Sequence, residues 1–69
     1  MQDHVYKLIE IVGTSHKGID HAIKGALKKA SKSLRNVRWF EVTSTRGTID
    51  PEGDIQFQVK LKVGFTLEE

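Results

Sequence analysis

The stretch Ile55-Gln56-Phe57-Gln58-Val59-Lys60-Leu61-Lys62-Val63-Gly64-Phe65-Thr66-Leu67 decides the fold. Every odd position is apolar, and every even position through Glu68 is polar or glycine. Successive strand side chains point to opposite faces, so this is a strand with one core face and one open face. It exceeds the usual strand length, which predicts a twisted central strand.

Just upstream, Asp50-Pro51-Glu52-Gly53-Asp54 has the residues of a tight turn. Before that turn a second strand is expected over about Val37 to Ile49. Alternation there puts Phe40 and Val42 on the core face and Trp39, Glu41, Thr43 and Thr45 on the open face. A two-residue loop after Asp50 would place Glu41 beside Lys62 and Trp39 beside Gly64. Both are sensible cross-strand neighbours.

Further upstream, Ile19, Ala22, Ile23, Ala26, Leu27, Ala30 and Leu34 follow the three-and-four spacing of a helix with one apolar stripe. Thr14 or Ser15 is expected to cap its start, Asp20 suits the first turn, and Asn36 is a reasonable stop. Lys17, Lys24, Lys28, Lys29, Lys32 and Arg35 lie largely off the stripe. The first strand, about His4 to Val12, has Ile9 and Ile11 on one face and Tyr6, Leu8 and Val12 on the other. Apolar residues on both faces call for cover on both, and one helix supplies only one. The order is β-α-β-β, an α+β fold. Two parallel strands joined through the helix leave room between them for the third, giving an antiparallel sheet in the order 1-3-2 wrapped on the helix.

The 69 residues suffice for a single domain spanning 1–69. A core this small retains only about 3–5 kcal/mol unless something adds to it. No cysteine is present, so disulfides and thiolate metal sites are excluded. His16 and His21 are not spaced as a helical ligand pair, and no metal site is expected. Oligomerisation is the support that remains. No signal-peptide pattern or membrane-length apolar run is read, so a cytoplasmic protein without membrane association is expected. The formal charge is +2, short of a dedicated nucleic-acid binder. Gly13 to Gly18 has the spacing of a phosphate loop, but Ile19-Asp20 stands where Lys-Ser or Lys-Thr belongs. No nucleophile–base set or close carboxylate pair is readable, and nothing argues for an enzyme.

Trp39, the sole tryptophan, therefore stands on a face with no helix over it. Two roles are open. It can fill a subunit interface, where tryptophan is enriched. It can instead stack on a planar heteroaromatic ring whose polar edge Gln58 reads, with Arg46 adding a charged donor. The lysine face of the helix is a solvated surface or a hold for an anionic ligand around Lys29, Ser33 and Arg35.

The chain resembles the dodecin family, and its bacterial branch in particular. The matching pieces are Val12-Gly13-Thr14-Ser15, Trp39-Phe40-Glu41-Val42, Arg46-Gly47, and Phe57-Gln58-Val59 running into Lys62-Val63-Gly64-Phe65. The resemblance covers essentially the whole chain. It implies a hollow homododecamer that stores flavin (FMN, riboflavin or FAD) and protects it from light. Flavin pairs would stack between tryptophans at two-fold interfaces, with Trp39 on the isoalloxazine and Gln58 and Arg46 on its polar edge. It also implies coenzyme A binding at subunit junctions, where Lys29, Ser33 and Arg35 fall. Thr66 stands where some relatives carry a basic residue. The rival reading is a homo-oligomeric nucleic-acid binder using the basic helix face and Trp39; no nucleic-acid partner is expected on the leading one.

Overall fold

The computed structural model describes residues 3–67. The elements run β1 (Tyr6–Ser15), α1 (Ile19–Ser33), β2 (Val37–Ile49) and β3 (Ile55–Thr66). The sheet is antiparallel in the order β1-β3-β2, with β3 in the middle. The expected topology and the bounds of β2 hold, and β3 stops one residue short of Leu67. Glu68 lies outside the described residues.

The first strand begins later and runs further than the expected span of His4 to Val12. Gly13, Thr14 and Ser15 continue it by pairing with Val59, Gln58 and Phe57. Thr14 and Ser15 are therefore strand residues and not helix caps. The helix starts after Gly18 with no side-chain cap. Ser15 Oγ instead accepts from the Lys17 N–H at 2.9 Å and hydrogen-bonds His21 Nδ1 at 3.0 Å. Asp20 does occupy the first turn and Lys32 the last. The helix ends sooner than Asn36. Leu34 turns extended and its N–H donates to the Ala30 carbonyl at 2.8 Å. Asn36 then reverses the chain at φ 62°, a region its short polar side chain tolerates.

Ala22, Val59, Leu61 and Val63 form the core, with Ile9, Ile11, Ile23, Ala26, Leu27 and Val37 packed around them. The helix sits very close to β1. A Cβ built on Gly13 would collide with the Ala22 carbonyl and come within 2.9 Å of Ala26 Cβ, so only glycine fits. The helix lies on β1 and β3, and β2 reaches past it. Phe40 and Val42 are on the helix side, paired with Val63 and Leu61, yet Phe40 remains 44% exposed. The sheet is thus only partly wrapped on the helix. On the other face Tyr6, Leu8 and Val12 are also exposed. The molecule measures 53 × 21 × 15 Å with a radius of gyration of 14.4 Å. A compact chain of this length would have about 11 Å.

Candidate functional site on the open sheet face

The open face is built in rows across the three strands, because paired residues share a face. One row is Leu8, Gly64 and Trp39; the next is Glu10, Lys62 and Glu41. Val12, Lys60 and Ser44 follow, then Thr14, Gln58 and Arg46. The expected neighbours Trp39–Gly64 and Glu41–Lys62 are both present.

They arise by a different route than a two-residue loop. The connection is the five-residue turn 50–54, held by Asp50 Oδ1. That oxygen accepts from the backbone N–H of Glu52 at 3.0 Å and of Asp54 at 2.8 Å. Counted from this turn alone, the register would be one residue off at Trp39. A bulge between Val42 and Ser44 absorbs the extra residue, and a second irregularity lies between Val37 and Trp39.

The bulge also changes which side chains share a face. Thr43 is the residue without a cross-strand partner, and its hydroxyl donates to the Lys60 carbonyl at 3.1 Å. Thr45 pairs with Val59 and so lies on the helix side, against the expectation that it shares the open face. Arg46 moves the other way. Simple alternation from Trp39 would put it on the helix side, whereas it pairs with Gln58 on the open face. Its Nε donates to Gln58 Oε1 at 2.9 Å.

Trp39 lies flat over Gly64. A Cβ there would collide with the indole ring and reach within 2.6 Å of its Nε1. Tyr6 meets the indole edge-on, with ring centroids 6.1 Å apart and planes at 74°. The indole is still 38% exposed. Trp39 and the Arg46–Gln58 pair sit on the same face but not together. Gly64 and Gln58 are six residues apart on β3, roughly 20 Å at the usual strand rise.

Of the helix-side candidates, Lys29 and Ser33 line one groove of about 310 Å³ with Ile9, Ile11, Val12, Ala26, Ala30 and Leu34. Arg35 lies beyond the helix end, in a neighbouring depression with Ser31, Asn36 and Arg38. Among the described residues no group of three metal-ligating side chains converges, and no helix is long and apolar enough to cross a membrane. The alternation of β3 already sets Lys60 on the open face with Gln58. Ser44 beside them is not legible from the sequence, since only the position of the bulge brings it there.

A family model described as Dodecin matches residues 5–68. The chain belongs to the dodecin family. It is 54% identical over 65 residues to the dodecin of Thermus thermophilus, covering 94% of each chain. The dodecin structure from Streptomyces davaonensis superposes with a TM-score of 0.91 at 43% identity, covering 99% of this chain and 100% of that one. The calcium dodecin of Mycobacterium tuberculosis is 33% identical over 63 residues, 91% of this chain and 89% of that protein. Membership makes this a dodecin-type small-molecule binding protein, of a kind that self-assembles into oligomers.

Proposed function

We propose that this dodecin binds and stores flavin, with FMN as the leading ligand, in pairs stacked against Trp39 at two-fold contacts of a homododecamer. The observation that carries this reading is the indole lying flat over Gly64, half-exposed, on the face that also holds the Arg46–Gln58 pair. An indole held flat offers its outer π-face to a ring. A flavin has such a ring and a polar pyrimidine edge for an amide and a guanidinium. The roughly 20 Å between the two parts on one chain exceeds the span of one tricycle. A second copy in antiparallel register brings its own Arg46 and Gln58 to the first copy's Trp39, and the converse. Two rings then fill the gap as a pair.

An indole in face contact can donate an electron to an excited flavin, so the bound ring would be dark and shielded from photochemistry. The carboxylates nearest the indole, Glu10 and Glu41, sit on either side of Lys62 in the adjacent row, an arrangement without a nucleophile–base pair, which fits storage better than turnover. Titration of FMN with the protein is expected to quench flavin fluorescence strongly. Stacking is worth about 1–3 kcal/mol per ring, so Trp39→Ala is expected to weaken FMN by about tenfold or more. Unaltered affinity in that variant would refute the stacking model.

Coenzyme A is a second proposed ligand. The Lys29–Ser33 groove is mostly apolar with one cation at its rim, which suits a pantetheine arm ending in phosphates. Arg35 would reach such a ligand only beyond the helix end. Lys29→Glu is expected to abolish coenzyme A binding in calorimetry and leave FMN quenching intact.

A further inference from the structure

The open face carries more positive charge beside Gln58 than ring recognition requires. A depression of about 230 Å³ is lined by Val12, Ser44, Arg46, Gln58 and Lys60. It holds two cations, a hydroxyl and an amide, and no carboxylate. The adjacent row provides the contrast. Lys62 is flanked by Glu10 and Glu41, whereas Lys60, on the same face, is flanked by Val12 and Ser44. Lys60 is exposed, and its ammonium makes no ion pair among the described residues. Arg46 is steered toward the same depression by the bond from its Nε to Gln58 Oε1. That bond leaves the outer edge of the guanidinium for another acceptor. A fork of guanidinium donors, a compact ammonium and a hydroxyl at one spot match a phosphomonoester, with three acceptor oxygens and a charge near −2.

We propose that Lys60, with Arg46 and Ser44, forms a phosphate subsite, so that this chain selects phosphorylated over neutral flavin. The inference rests on the flavin reading above. It adds Lys60 and Ser44 as specificity-determining residues to a ring site made by Trp39, Gln58 and Arg46, with the Arg46 guanidinium shared between the ring edge and the phosphate. The two lysines differ in their cross-strand neighbours: Lys62 has a carboxylate residue on each side in its row, and Lys60 has none.

The test is a pair of fluorescence titrations, FMN and riboflavin, on the assembled protein at low salt, with native mass checked for each variant. One lost charge-assisted contact corresponds to about tenfold in affinity. Lys60→Gln is expected to weaken FMN by about tenfold and to move riboflavin by less than twofold. Ser44→Ala should act in the same direction by a smaller factor. Raising salt should weaken FMN and spare riboflavin in the parent, and this salt effect should shrink in Lys60→Gln. Equal losses for both flavins in Lys60→Gln, or no loss for FMN, would overturn the phosphate subsite while leaving ring binding intact. Riboflavin binding that survives Trp39→Ala undiminished would overturn the flavin reading itself, and the subsite with it.

Discussion

At the scale of single residues, two glycines set the positions of much larger groups. Gly64 lets the indole of Trp39 lie against the sheet, and Gly13 lets α1 approach β1. Gly64→Ala puts a methyl where the indole ring now sits, so the ring must tilt off the sheet. The expected outcome is a folded chain by circular dichroism, tryptophan emission moved to the red, and FMN affinity reduced at least tenfold. Gly13→Ala meets backbone and not a movable side chain, so α1 itself must shift. Overpacking of this kind costs about 1–3 kcal/mol, which a thermal melt would register as a drop of several degrees or more. Both glycines were present in the sequence, but only Gly64 announced itself, through the register that set it opposite Trp39. Gly13 did not, because its neighbours Ala22 and Ala26 lie on α1, and a strand–helix approach has no register that alternation can show.

At the scale of elements, period two and period 3.6 were legible wherever one face was buried against one neighbour. The alternation of β3 and the apolar stripe of α1 showed their types, and for β3 nearly its bounds, while α1 is shorter at both ends than the expected caps implied. The end of β1 was not legible, since Thr14 and Ser15 are equally good strand-enders and helix caps, and only pairing with β3 decides between them. The bulge at Thr43 was not legible either, because β2 is exposed along almost its whole length and no burial pattern marks the slip. Deleting Thr43 removes the extra residue, so Ser44 follows Val42 in plain alternation and Arg46 stays opposite Gln58. The deletion is expected to keep the strand order and to leave FMN affinity unchanged in a fluorescence titration. A marked loss of affinity would mean that the bulge itself, and not only the face it gives Arg46, is needed for binding.

At the scale of the whole molecule, one chain is too open to be complete. Its accessible surface is 5458 Å², against about 4,400 Å² for a compact protein of this mass. The excess of about 1,000 Å² is comparable to one partner's share of a standard interface. Apolar side chains account for the uncovered places: Phe40 and Val42 beyond the helix, Leu8 and Val12 on the open face, and Ile49, 75% exposed, by the turn. The sequence carried this as apolar residues on both sides of β1, though it did not foretell that β2 would outrun the helix. Phe40→Glu is expected to collapse the native mass to small species and to lower the melting temperature by tens of degrees. The parent should melt higher as its concentration rises. A monodisperse, stable monomer from the parent would contradict this reading of the surface. The distance between Trp39 and the Arg46–Gln58 pair carries its own corollary. On the proposed flavin reading, each ligand would take its stacking surface from one chain and its polar clamp from another, so the two halves could be damaged separately. Mixing inactive Trp39→Ala chains with inactive Gln58→Ala chains, then refolding them together, should regenerate about one intact half-site at every mixed contact. Neither parent variant could do this alone, and recovered yellow colour would register the complementation.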